Sequence, residues 1–351
     1  MQAYATQRAI EKLGYAAKII DYQYPNSFHA TYPSLKDKVR HWTNNALKDL
    51  LPGRLGTSLT RKYKDAFDTY YHLTQYYPTQ KSIMDNPPDF DIYVAGSDQL
   101  WRPAFTNGDG VFFADFAPKG KKRISYASSF GCLKIEDTYN GEYARMLGAF
   151  DELSVREKSG ITIIKELIGR DAHLVLDPSL LLQAEEWRYI KKSSGIKGRY
   201  VFCYGMIGID YVNRVAKELI GNEDIAIVRT NGNFFDYFKK DIHYILDCGP
   251  LEWLELIDNA EFVLTGSFHG TAFSIQFHKP FFSVLSGEEN QDSRQINLLN
   301  LLNLQNNGIY AGDEDFSSIA SNMYGINWDE VYCILNRYRE DSLSYLEKSL
   351  A

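Results

Sequence analysis

Glu261-Phe-Val-Leu-Thr-Gly-Ser-Phe-His-Gly-Thr-Ala-Phe-Ser-Ile-Gln-Phe-His-Lys-Pro280 is the stretch on which the fold turns. Its apolar run ends at Leu264, a short polar turn follows, and a helical pattern opens near Thr271, so a buried strand passes through two glycines into a helix. In a parallel sheet such a turn lies at the carboxyl end of the strand, where ligands collect. The backbone N–H groups of Gly270 and Thr271 and the His269 side chain then stand at a helix N-terminus, which favours anions. The same residues also read without a ligand: Gly266 and Gly270 permit a tight turn, and His269 is a satisfied polar side chain.

Strand and helix signals alternate on both sides of this segment. Apolar strand-like runs fall at residues 16–22, 92–95, 123–126, 153–155 and 174–176 in the first half, with helical stretches at 63–77 and 143–150. The second half repeats the arrangement, with strands at 200–204, 225–228, 244–246, 262–264 and 281–285 and amphipathic helices at 211–220 and 251–259. Such alternation implies parallel sheets covered by helices, and 351 residues suffice for two cores. The expected architecture is α/β: two Rossmann-like doubly wound domains facing a cleft, residues 1–180 and 181–325, with a C-terminal helix in 326–351 packing back across them. The chain opens on a helix, Gln2 to Leu13, closed by Gly14, where a doubly wound domain opens on a strand. The first strand of the N-terminal domain is therefore expected to be missing, and Met1 to be an internal methionine of a longer protein whose upstream residues supply it.

Two further segments carry candidate chemistry. In Asp91-Ile-Tyr-Val-Ala-Gly-Ser-Asp-Gln-Leu-Trp-Arg-Pro103 a strand delivers Ser97, Asp98 and Trp101 together. A carboxylate and an aromatic plate suit a sugar, and Asp98 could serve as general base toward a sugar hydroxyl; equally, Asp98 could cap the following turn. Leu153-Ser-Val-Arg-Glu157 ends on Arg156, suited to bidentate grip on carboxylate or phosphate or else to a surface pair with Glu157. Asp89-Phe90-Asp91 imitates a metal-binding DxD but precedes its strand instead of following it, and no dinucleotide, Walker, zincin or nucleophile-elbow motif occurs. No metal or cofactor is expected.

The net charge of -7 disfavours nucleic acid. Between 36 and 64, however, Lys36, Lys38, Arg40, Lys48, Arg54, Arg61, Lys62 and Lys64 face only Asp37 and Asp49. That excess suits either a solvated face or an anionic membrane surface. The start of the sequence is too polar for a signal peptide's apolar core, and four scattered cysteines point to neither disulfides nor zinc, so a cytoplasmic location is expected.

Six stretches in order resemble the polysaccharide pyruvyl transferase family: Gln2-Ala-Tyr-Ala-Thr-Gln7, Gly96-Ser-Asp-Gln-Leu-Trp101, Arg123-Ile-Ser-Tyr-Ala-Ser-Ser-Phe-Gly131, Ser154-Val-Arg-Glu157, Leu176-Asp-Pro178 and Thr265 to Gly270. The resemblance implies a glycosyltransferase-B-like fold and transfer of the enolpyruvyl unit of phosphoenolpyruvate, the co-substrate, to a nucleotide- or lipid-linked sugar, forming a pyruvate ketal for a surface polysaccharide such as a capsule. It implies His269 as acid and Asp98 as base. It places Arg156, Ser267, Phe268, Gly270, Thr271 and Arg294 on the donor side and Ser97, Trp101 and Tyr126 on the acceptor side. Two departures stand out: Ser267 occupies a place where many members carry Arg, and the family's opening strand and its glycine-containing loop are absent. A glycosyltransferase using a nucleotide sugar, with Glu252 toward a ribose, and a sugar-binding paralogue without activity are the rival readings.

Overall fold

The computed structural model describes residues 1–23, 35–205, 209–230 and 232–351. The second half contains a six-stranded, all-parallel sheet built from β7 (Tyr200–Tyr204), β8 (Ala226–Arg229), β9 (His243–Tyr244), β10 (Val263–Thr265), β11 (Phe281–Leu285) and β12 (Gly308–Tyr310), in the order β12-β11-β10-β7-β8-β9. Near-continuous apolar runs make these strands because both faces are covered. Side chains of β7 alternate between two cores, Tyr200 and Phe202 on one side and Val201 and Cys203 on the other. Helices α7 (Ile209–Ile220), α8 (Pro250–Asp258), α9 (Phe268–Gln276), α10 (Glu289–Leu301) and α11 (Phe316–Tyr324) cover it.

The first half holds β1 (Ile19–Tyr22) paired with β2 (Leu73–Tyr77), β3 (Ile92–Ala95) with β4 (Lys122–Ser125), and β5 (Ser154–Val155) with β6 (His173–Leu174), all parallel. Backbone bonds from Asp151 N to Arg123 O (2.8 Å) and Ser125 N to Glu152 O (3.0 Å) join β4 to β5. Helices α1 (Gln2–Lys12), α4 (Asn140–Gly148) and α5 (Lys158–Ile168) accompany these strands, whereas α2 (Leu35–Lys48), α3 (Leu55–Tyr70) and α6 (Ala184–Ile190) pack toward the second half.

Between β1 and β3 no ladder forms among the described residues. The two strands flank instead an apolar slot of about 700 Å³, lined among others by Ile10, Ile19, Ile20, Ile92, Val94 and Phe112.

The expected helix over 63–77 ends at Tyr70. Tyr71 is already extended (φ -106°, ψ 128°), and Leu-Thr-Gln-Tyr-Tyr, rich in aromatic and β-branched side chains, pairs with β1. Helices α2 and α3 pack on the second half: Ser58 Oγ donates to Asp247 Oδ2 (2.8 Å), Lys62 Nζ lies 3.1 Å from the same oxygen, and Leu51 is buried in the core beneath β8 and β10. Helix α12 (Trp328–Leu350) crosses between the two sheets, with Val331 and Leu335 in the core of the second and Tyr345, Leu346 and Leu350 in that of the first.

Candidate active site

Strand β10 ends on Thr265, Gly266 turns the chain, and Ser267 occupies the N-cap of α9. Gly270 is required where it stands: a Cβ there would meet Thr265 Oγ1 at 2.1 Å. The expected anion donors shift by one residue. Thr271 N–H already donates to Ser267 O (3.0 Å) and its buried hydroxyl to Ser283 Oγ (2.9 Å), so Thr271 is a packing residue. The N–H groups at the start of the helix are those of Phe268, His269 and Gly270.

Around this turn five titratable side chains converge from both halves. Arg156, buried at the end of β5, sends Nη1 to Asp177 Oδ2 (2.6 Å) and Nη2 to Asp98 Oδ1 (2.9 Å). Asp177 also accepts from Ser97 Oγ (2.8 Å) and, through Oδ1, from the Ser179 N–H (3.0 Å) and hydroxyl (2.6 Å). His269 Nε2 stands 4.0 Å from Asp177 Oδ2. Arg294 Nη1 reaches Asp98 Oδ1 only at 3.9 Å. Both guanidiniums lie over the Phe268 ring, Arg156 at 4.8 Å and Arg294 at 5.7 Å, so its face orients the two cations. Gln2, the first residue of α1, brings Nε2 to 2.5 Å from His269 Nε2. An amide N–H donating there requires a neutral imidazole carrying its proton on Nδ1, whereas the flipped amide would accept from a protonated Nε2, in the neutral Nε2–H tautomer or in imidazolium.

The charges are strongly coupled. Burial works against ionising Asp98, but Arg156, His269 and Arg294 outweigh it and hold the carboxyl far below the usual range; Asp177, also buried, is held down by Arg156 and then His269. Burial likewise opposes the charge on Arg156, and Asp98 and Asp177 overcome it, pushing the guanidinium up. Burial lowers His269, with Asp177 and Asp98 only partly restoring it. Burial and the neighbouring Arg156 bring Arg294 down to about 10. Asp98 adopts a positive φ of 91°, a conformation that side chains rarely take and that concentrates at functional sites.

The structure brings Ser97, Asp98, Arg156, Ser267, Phe268, His269, Gly270 and Arg294 to one place, and adds Asp177 and Gln2. Both added residues lie inside the quoted stretches, but spacing alone assigns neither a partner. Trp101 and Tyr126 are corrections. Trp101 has no exposed surface, stacks on Phe113 at 5.4 Å and donates Nε1–H to Phe112 O, so it is core and no plate for a sugar. Tyr126, equally buried, donates its hydroxyl to Leu176 O. The Ser97 hydroxyl is committed to Asp177, and the alternative of an Arg156–Glu157 surface pair fails because both side chains are buried. Glu252 is buried beside Lys62 (3.6 Å), tying α3 to α8 and leaving no carboxylate for a ribose.

A sequence profile of the polysaccharide pyruvyl transferases matches residues 1–288. The chain belongs to that family. It is a transferase, and the cleft turn Thr265–Gly270 lies within the matched range of this pyruvyl transferase. No curated protein matches the chain. Among solved structures, UDP-GlcNAc 2-epimerase from Neisseria meningitidis bound to UDP-GlcNAc is 10% identical, with 99% of this chain and 95% of that chain covered at a TM-score of 0.52. The UDP-GlcNAc 2-epimerase of Methanocaldococcus jannaschii in complex with UDP-GlcNAc and UDP is 14% identical over 92% of this chain and 88% of that one, at a TM-score of 0.47. The Neisseria meningitidis likeness bears on fold alone, a two-domain glycosyltransferase-B-like arrangement.

Proposed function

We propose that this pyruvyl transferase moves the enolpyruvyl unit of phosphoenolpyruvate onto a sugar diol, forming a pyruvate ketal and releasing phosphate. The observation that carries the reading is a histidine of lowered basicity set between two carboxylates and an arginine with donors to spare, at a helix N-terminus. Arg294, bound weakly by Asp98, grips the donor's anionic groups together with the first N–H groups of α9. That added negative charge raises His269, which then protonates the methylene carbon of the donor. The C–C double bond becomes a methyl group and the adjoining carbon an oxocarbenium. One sugar hydroxyl attacks it, giving its proton to Asp98, whose described carboxylate contacts all fall on Oδ1. The C–O bond to phosphate then breaks, the departing phosphate taking the proton held on Asp98, and the second hydroxyl closes the ketal, its proton returning to His269.

Arg156 acts in this scheme by fixing Asp98 and Asp177, since its buried guanidinium is already paired. Incubation with phosphoenolpyruvate and a panel of nucleotide- and lipid-linked sugars tests the reading. It requires phosphate release that depends on the sugar and a ketal adduct by mass spectrometry. Release without any sugar dependence, or transfer from a nucleotide sugar instead, would overturn it.

A further inference from the structure

Helix α2 lies against the one-turn 3-10 helix Phe234–Phe238, and the Phe234 N–H donates to Asn44 Oδ1 at 2.8 Å. Their inner sides are occupied: Leu51 is buried in the core under the second sheet, with Leu55 and Phe234 packed against it. Their outer sides are bare. Val39 is 52% exposed, Trp42 71%, Leu50 75%, Phe235 72% and Phe238 62%. Val39, Trp42 and the exposed Ala46 follow one another at helical spacing on one face of α2. Phe235 and Phe238 both pack edge-on against Phe234, at 5.2 and 5.6 Å. Large apolar side chains exposed singly need no explanation, but a group of them on two touching segments marks an interaction surface.

Charge identifies the partner. In a chain of net charge -7, residues 35–54 carry Lys36, Lys38, Arg40, Lys48 and Arg54 against Asp37 and Asp49, and Lys239 and Lys240 follow Phe238 between Asp236 and Asp241. Not all of these take part, because Lys48 is buried, Lys239 pairs with Asp236 (2.7 Å), Lys62 faces Asp247 and Glu252, and Lys64 pairs with Asp68. Exposed aromatic and aliphatic side chains on segments whose sequence is rich in lysine and arginine are the make-up of an element that lies in the headgroup layer of an anionic bilayer. Among the described residues no helix is long and apolar enough to cross one.

The position of the patch adds a geometric reason. Helix α3 starts at Leu55, beside Leu51, and ends at Tyr70, whose carbonyl accepts from Gln7 on the helix that carries Gln2 to His269. Its 16 residues, about 24 Å at 1.5 Å per residue, connect the patch to the cleft.

We propose that the face formed by α2 and residues 234–238 docks on an anionic phospholipid surface, holding the cleft about one helix length from it, within reach of a sugar carried on a membrane lipid. The docking is independent of the transfer chemistry; only the nature of the acceptor rests on the function proposed above.

Vesicle flotation of the whole protein, without phosphoenolpyruvate, tests it. Vesicles of phosphatidylcholine with about one-third phosphatidylglycerol should carry the protein up at low salt and lose most of it at high salt, where screening shortens the reach of charge. Pure phosphatidylcholine should carry little. Trp42→Ser with Phe235→Ser should reduce flotation at least tenfold while leaving the melting temperature and phosphate release with a water-soluble sugar near wild type. No flotation, or equal flotation on neutral vesicles, would overturn the proposal. So would a wild-type dimer in light scattering that the double variant dissociates, because the face would then join two copies.

Discussion

Replacing Asp177 by Asn removes one charge from the buried centre of the site and leaves its shape almost unchanged. The Asp177 side chain has no exposed surface, and its Oδ2 lies 2.6 Å from Arg156 Nη1. Taking one partner from a buried ion pair strands the other and costs about 3 to 5 kcal/mol. The lower end, about 3 kcal/mol, applies here, because Asp98 at 2.9 Å and Glu157 at 3.8 Å still face Arg156 and an amide oxygen can still accept from Ser179. In urea that loss should lower the unfolding midpoint by about 1 M, given the slope expected of a chain this long. Arg156→Met should lose a similar amount, since it strands Asp177. The decisive measurement is the double variant Arg156→Met with Asp177→Asn. Independent sites would add to about 6 kcal/mol, whereas a coupled pair should leave the double variant no worse than either single one. Full additivity, or a wild-type midpoint in Asp177→Asn, would refute the coupling. The sign with pH follows from the lowered folded-state value of Asp177. Its contribution is full above the unfolded carboxyl value of about 3.9 and fades as pH falls through the lower folded one. The gap between wild type and Asp177→Asn should therefore be widest near neutrality and close in acid.

His269→Ala should fold normally, because the side chain sits partly exposed at a turn, and should lose about 10² to 10⁴ in turnover. Wild-type rates in that variant would remove the acid proposed above. Since burial lowers His269 while Asp98 raises it, kcat/KM should decline with rising pH through a limb on the acid side of the ordinary imidazole value, and Asp98→Asn should move that limb further to acid. Arg294→Ala should raise the apparent KM for phosphoenolpyruvate about 10- to 100-fold, the worth of a charge-assisted hydrogen bond, and should shrink the melting-temperature rise that the donor produces. An unchanged KM would move the donor away from Arg294. In hydrogen exchange, alternate amides of β1 and β3 that face the slot should exchange far faster than those of β7 and β10, which are paired on both sides. Equal protection across all four strands would show that the slot is closed in solution.

The second sheet was readable because its strands are buried on both faces. Val263 and Leu264 feed opposite cores, as do Phe281 and Phe282, so each strand appears as an unbroken apolar run between helices of clear period. The strand Leu73–Tyr77 was hidden for the opposite reason: its burial is partial, its aromatic spacing continues that of the preceding helix, and only pairing with β1 decides its state. The site divides along the same line. His269 and Arg294 are displayed by local structure, a turn and a helix face, and local structure leaves a period in the sequence. Asp177 has no such signature, because its partner Arg156 is 21 residues away and meets it only when the first half folds. Trp101 failed as a sugar plate on the same ground. A tryptophan after a strand looks alike whether it faces solvent or Phe113, and the packing that separates the two cases comes from Phe112, Phe130, Tyr143 and Phe150, none of them near it in the stretch that suggested the role. What a sequence displays is the placement of a side chain along its own element. Which charge it meets across the cleft is a property of the closed fold: Arg156 is paired with two carboxylates, whereas Arg294 reaches Asp98 only at 3.9 Å, a difference that neither arginine's place in the sequence displays.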